Sequence, residues 1–194
     1  MSLLPAPIVV IDTETTGFVS DLRSCVVDVG AILVDRDGRE VSTFSSLVRP
    51  TSWGDWCDGA AAVHGLALEQ LADAPEPAEV ADSLSGWLNT WGVSRVTSFS
   101  VVFDSEMLQR MGCFPCWTTC IQQQAATPMA RAGLLEPPGN HGAPVWVDGV
   151  EYRPPRLTAA CNFFDVEPVA PAHRALSDAK TAARVLVAMA RRER

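Results

Sequence analysis

The sequence predicts an α/β fold, a mixed sheet with helices packed on its faces. Three observations carry this. The first fifty residues hold three apolar, β-branched runs separated by turn chemistry, later stretches place apolar residues at helical spacing, and one more short strand follows the first helices.

The runs come in order. Pro7 to Asp12 (PIVVID) is a short apolar strand ending in an acid, and Cys25 to Asp35 (CVVDVGAILVD) is a longer β-branched one. Arg36-Asp37-Gly38 supplies a turn, and Glu40 to Val48 (EVSTFSSLV) resumes with Val, Thr and Phe, so an antiparallel meander is expected. After Pro50 the chain turns helical. Gly59 to His64 is alanine-rich, Leu66, Leu68 and Leu71 follow, and Val80, Leu84, Trp87 and Leu88 recur at helical spacing between Pro75 and Thr90. Arg95 to Ser98 is a candidate buried strand. Asp104 to Met111 reads as a helix with Met107, Leu108 and Met111 on one face, and Arg156 to Phe164 and Ala175 to Arg192 as the final helices. Between Pro137 and Pro155 glycines and prolines surround VWVDGVEYR, which predicts a surface excursion with a hairpin about Asp148-Gly149.

With 194 residues, 47% of them apolar, the chain can bury one sizeable core and is short for two ordinary domains, so residues 1–194 are expected to form one domain. No segment has the ~20 uninterrupted apolar residues of a membrane span, and MSLLPAPIVV lacks the features of a signal peptide. The expected location is the cytoplasm. There the six cysteines are expected as thiols. A formal net charge of −8 argues against gripping long nucleic acid through a basic surface alone. The charge is uneven. Thr51 to Ser94 carries seven acids and no Lys or Arg, whereas His173 to Arg194 carries six basic residues. Bound divalent cations would add positive charge that this count omits.

Three segments carry chemistry. In Ile11-Asp12-Thr13-Glu14 the two acids stand at i and i+2, hence on one face of a strand. Carboxylates so placed repel unless neutralised, and a hard cation such as Mg²⁺ or Mn²⁺ does that. Alone, the segment also fits a solvated acidic turn. Thr15-Thr16-Gly17 then offers hydroxyls and close backbone approach to a sugar or phosphate. Asp104 ends a second apolar run and by itself reads more readily as a helix N-cap than as a site acid. In HRALSDA, His173 precedes a helix with Asp178 in its first turn, and imidazole suits proton transfer near neutral pH.

Together these segments resemble the DEDD-type 3′-to-5′ exonucleases of the RNase H-like superfamily, in the subgroup with histidine in its third motif. The first motif stands as IDTETTG (Ile11 to Gly17), the second as Phe103-Asp104 and the third as HRALSDA (His173 to Ala179). Val63-His64-Gly65-Leu66 resembles the family's HGI segment, and Ser100 stands where the family usually has asparagine. The resemblance spans Ile8 to about Met189 apart from the excursion. It implies an RNase H-like five-stranded sheet, its first three strands antiparallel, with helices on both faces. It also implies two divalent cations, with Asp12 bridging both, Glu14 and Asp178 completing one site and Asp104 reaching the other. His173 would be the general base. Thr13, Thr15, His64 and Ser100 would contact substrate, and the products would be nucleoside 5′-monophosphates.

Two other functions stay open. One is a catalytically weak nucleic-acid or protein-binding module on the same fold. The other is a structural zinc site on Cys113, Cys116 and Cys120, for which Cys57 or Cys161 would have to complete a tetrahedron. Most of the six tryptophans are expected in the core or at its rim, and Trp146 on the hairpin is a candidate for base stacking. Partners in view are a nucleic-acid 3′ end, single-stranded by preference, a polymerase or repair protein, and a second copy of the chain. Because the sequence stops soon after the third motif, a free-standing enzyme or one recruited through its surface is expected. DNA and RNA are not distinguished.

Overall fold

The structure, a computed structural model, describes residues 2–51, 58–93, 95–139 and 144–193. Trp53, Trp56 and Cys57 lie outside these residues. The chain begins as a meander of β1 (Ile8–Thr15), β2 (Val26–Val34) and β3 (Glu40–Leu47). Next come α1 (Asp58–His64), α2 (Leu68–Ala72), α3 (Pro77–Thr90), β4 (Arg95–Ser98) and α4 (Val101–Arg110). They are followed by β5 (Cys116–Trp117), α5 (Ile121–Arg131), the hairpin strands β6 (Val145–Val147) and β7 (Val150–Tyr152), α6 (Leu157–Phe164) and α7 (Ala175–Arg192).

The main sheet has the order β3-β2-β1-β4-β5. β1, β2 and β3 are mutually antiparallel, while β4 runs parallel to β1 and β5 parallel to β4. β2 is buried at all nine positions, as a strand covered on both faces must be. Alternation then splits the core. Val9, Ile11, Ala31 and Leu33 pack with Val80 and Leu84 of α3 and Met107 and Leu108 of α4. Val10, Ile32 and Val34 face the other way, onto Ile121 and Ala125 of α5, Ala160 and Phe164 of α6, and Ala179, Ala182 and Leu186 of α7. The expected five-stranded mixed sheet with helices on both faces is therefore the observed one.

Several boundaries differ from the sequence reading for local reasons. β1 does not stop at Asp12: β2 pairs with it through Thr15, with an irregularity between Glu14 and Thr15, so both acids lie inside a central strand. The alanine-rich helix ends at His64 because Gly65 takes φ 67°, and Leu68 starts a separate helix. α4 begins at Val101, so Ser100 occupies the N-cap position and Asp104 lies within the first turn. The N-cap reading of Asp104 is thereby removed. β5 and α5 had no expectation behind them. The hairpin turns at Asp148 (φ 51°) and Gly149 (φ 80°), a pair of left-handed residues suited to a two-residue loop, and packs on α5 through Val145, Val147 and Ala126.

Candidate active site

Alternation along β1 sets the site. Thr13 shares a face with Val9 and Ile11, while Asp12 and Glu14 share the α7 face with Val10. On β2 the cross-strand partner of Asp12 is Gly30, and that of Glu14 is Asp28. A β-carbon on Gly30 would stand 2.1 Å from the Leu176 amide nitrogen and 2.3 Å from the Ala175 carbonyl carbon. Only glycine lets the start of α7 settle this closely on the sheet. Asp178, in the first turn of α7, comes down beside β1, and one ligand atom each from Asp12, Glu14 and Asp178 lie within 4.8 Å of one another.

Asp104 arrives from α4, on the other face. Its carboxylate is 2% exposed, and its Oδ1 accepts the Thr13 hydroxyl at 2.8 Å. Thr13 is thus committed to Asp104. Asp104 stands outside the group of three, yet its charge acts on both Asp12 and Glu14.

So many acids in one place cannot all ionise at ordinary pH without a counter-charge. Burial, with Asp104, Glu14, Asp178 and Asp28 adding negative charge, holds Asp12 well above the usual carboxylate range. Burial, then the charges of Asp178, Asp28 and Asp104, pushes Glu14 from 4.5 to about 8, with Arg174 opposing. Burial lifts Asp104 to about 6 against the hydrogen bond from Thr13, and raises Asp178 against the neighbouring His173. The donor set is all carboxylate oxygen, which fits a hard divalent cation such as Mg²⁺ or Mn²⁺. Such an ion would relieve the repulsion that otherwise keeps these groups protonated.

His173 is exposed at the N-terminal approach to α7. It adopts φ 59°, a left-handed conformation that costs a β-carbon-bearing residue free energy. Its backbone N–H donates to Asp178 Oδ2 at 3.1 Å, which ties that backbone turn to the acid cluster. Thr15 is buried, and its hydroxyl donates to the Gly17 carbonyl at 2.7 Å. His64 is also buried; its Nδ1 accepts the Leu66 N–H at 3.0 Å, so the neutral ring carries its proton on Nε2. Burial lowers its pKa, Asp28 opposes and Arg174 adds to the drop. Ser100 is half-buried, and its hydroxyl makes no capping bond. The structure therefore gathers Asp12, Glu14 and Asp178, sets Asp104 and Thr13 beside them, and puts His173 at the rim.

Three residues that the sequence reading did not single out also shape the site. Asp28 is 1% exposed; its Oδ2 accepts Arg174 Nε at 2.8 Å and the Ala175 N–H at 3.3 Å. An acid within a fully buried strand was the signal for it. Arg174 has no signal beyond lying next to His173. Arg110 of α4 donates through Nη1 to the carbonyls of Asp21 (2.9 Å) and Ser24 (3.3 Å), and through Nη2 to that of Val19 (2.7 Å). It clamps the loop that follows the first motif, on which Phe18 and Leu22 are 77% and 85% exposed.

The cysteines do not converge. Cys113 is buried against Ser85, Cys116 is exposed, and the Cys120 thiol donates to the Phe99 carbonyl. Among the described residues the one metal-sized group is that of Asp12, Glu14 and Asp178, and Cys25, Cys113, Cys116, Cys120 and Cys161 are free thiols. No described tryptophan is fully buried, and Trp146 is 59% exposed. A surface hollow of about 570 Å³ between α7 and the end of α6 contains none of these acids. Among the described residues no helix is long and apolar enough to cross a membrane.

Comparison with known proteins gives the same frame. Exonuclease X, solved with 5′-overhanging duplex DNA, superposes with a TM-score of 0.63 at 24% identity, covering 94% of this chain and 90% of that one. The nuclease domain of 3′hExo, described as a DEDDh family member and bound to rAMP, gives 0.73 at 16% identity, covering 96% and 92%. Cell-death related nuclease 4 gives 0.70 at 16% identity; the match covers 97% of this chain but 65% of that longer protein. No curated protein matches the sequence. The exonuclease family itself does, over residues 9–186, a span that contains all four acids and His173. On that match, the chain belongs to the exonuclease family.

Proposed function

We propose that this chain is a metal-dependent 3′-to-5′ exonuclease that hydrolyses the terminal phosphodiester of DNA or RNA and releases nucleoside 5′-monophosphates. The observation that carries the reading is the convergence of Asp12, Glu14 and Asp178 within 4.8 Å, with His173 tethered to Asp178. Asp12, Glu14 and Asp178, with Asp104 beside them, would hold two divalent cations, Mg²⁺ or Mn²⁺. Such ions supply positive charge to the phosphate oxygens and lower the pKa of water. Exposed at the cleft rim, His173 takes the proton from the attacking water, a task suited to imidazole near neutral pH. Thr13 holds Asp104 in place, and Thr15, the buried His64 and the N-cap Ser100 line the approach of the terminal nucleotide. The related structures hold duplex DNA in one case and a ribonucleotide in another, which supports a nucleic-acid end as substrate and leaves both sugars in play.

The test is a time course with 3′-blocked and unblocked single-stranded DNA and RNA oligonucleotides, each with Mg²⁺, Mn²⁺ or chelator, resolved by length. Stepwise shortening from a free 3′ end, lost with chelator and in Asp12→Ala, is the expected result. Shortening by the Asp12→Ala variant would overturn the site assignment. Oligonucleotides left intact under every condition would favour the binding-module reading, which Ser100 in place of the family's asparagine supports.

A further inference from the structure

A phosphodiester strand entering this cleft meets five acids: Asp12, Glu14, Asp104 and Asp178, with Asp28 behind them. Two cations can serve the scissile phosphate. A neighbouring phosphate can be held by hydroxyls and backbone N–H groups, but among so many acids a positive side chain also offsets the repulsion. Arg174 is the guanidinium whose charge acts on both Glu14 and His64. Its Nε is held by Asp28 at 2.8 Å, in a pair whose carboxylate is 1% exposed while the arginine side chain is 38% exposed. Among the described residues neither Nη atom of Arg174 has a hydrogen-bond partner, and neither does Asp28 Oδ1. The buried acid thus grips one edge of the guanidinium, and the outer edge, the fork that matches two phosphate oxygens, remains available.

We propose that Arg174 binds a phosphate of the bound strand and that Asp28 is the positioning residue that aims it; this rests on the exonuclease reading above. Asp28 faces Glu14 across the strand pair and also accepts the first amide of α7, so one carboxylate fixes both the guanidinium and the start of the helix bearing Asp178. A mere tie between α7 and β2 could be made by a neutral acceptor. A fifth negative charge among carboxylates that already repel gains its use from the cation it orients.

The test compares wild type with Arg174→Gln, Arg174→Lys, Asp28→Asn and the Asp28→Asn/Arg174→Gln double variant. Steady-state shortening of an oligonucleotide is followed at several salt concentrations, and oligonucleotide affinity is read by fluorescence anisotropy in a His173→Ala background with Mg²⁺. Arg174→Gln should raise KM and Kd roughly tenfold, leave kcat within about threefold, and reduce the slope of log affinity against log salt by about one. Arg174→Lys, which keeps the charge but not the fork, should fall between. Asp28→Asn should move KM the same way, and the double variant should bind no worse than Arg174→Gln. Wild-type KM, Kd and salt slope in Arg174→Gln would overturn the proposal, as would a loss confined to thermal stability. Arg174 is half-exposed, so its variants remain informative even if Asp28→Asn misfolds. If wild type shortens no oligonucleotide, the exonuclease reading is what fails, and the affinity comparison still decides the role of Arg174.

Discussion

Replacing Glu14 with glutamine keeps the side chain's shape and removes one negative charge from the cluster. In the metal-free protein that charge is held at a cost: burial and the charges of Asp178, Asp28 and Asp104 lift the Glu14 carboxyl from 4.5 to about 8. The sign follows from proton counting. Between pH 4.5 and 8 the folded chain keeps a proton on Glu14 that the unfolded chain has released, so wild-type stability falls as pH rises through this window. At about 1.4 kcal/mol per pH unit, the difference amounts to a few kcal/mol by pH 8. The Glu14→Gln variant lacks this contribution. Urea unfolding in chelator from pH 5 to 8.5 should give near-equal stabilities at the acid end and a variant more stable than wild type by a few kcal/mol at the alkaline end. Saturating Mn²⁺ at pH 8 should raise wild-type stability more than that of the variant, because the ion neutralises the same repulsion. Parallel pH curves for the two proteins in chelator would refute the electrostatic account of the site.

Other substitutions test other parts. His173→Ala should lower kcat by roughly a hundredfold or more while calorimetric Mn²⁺ binding is mostly preserved, since the bond from His173 to Asp178 is made by its backbone N–H, which alanine keeps; full activity would make His173 a packing residue. Gly30→Ala should destabilise the chain by more than about 3 kcal/mol in urea titrations, because its methyl group would collide with the backbone of Ala175 and Leu176 rather than with a side chain that can turn away. Thr13→Val should lower kcat roughly tenfold and lower the melting temperature by a few degrees, because the buried Asp104 loses its 2.8 Å donor; unchanged kcat would leave the hydroxyl without a catalytic part.

Most of the order of elements was legible because alternation and apolar periodicity survive tertiary packing, whereas the four acids were joined as one site only by the resemblance of their motifs to the exonuclease family. Asp12 and Glu14 share a face for the reason the i, i+2 spacing gives, and the meander follows from its turns. α5 was not legible: Pro128 lies inside it, and its glutamines hide the buried stripe of Ile121, Ala125, Ala126 and Met129. β5 is two residues long and forms only because β4 is there to pair with it. Asp28 was read as part of a strand, since nothing local says that Arg174, 146 positions later, will lie against it. The Asp104 N-cap reading failed because Val101 and Val102, poor helix formers by propensity, are drawn into α4 by the chain's exit from β4.

The Arg110 clamp bears on how freely the cleft can change. All three of its bonds to the loop after the first motif end on backbone carbonyls, those of Val19, Asp21 and Ser24, and none on a side chain. These three bonds therefore do not depend on which side chains the loop carries at those positions. Phe18 and Leu22 can be exchanged for larger, smaller or polar residues while the chain beneath them keeps its course, so this rim can be varied residue by residue to seek new end preferences. Loss of Arg110 would remove that tolerance at a stroke, because each substitution would then alter the loop's conformation as well as its chemistry.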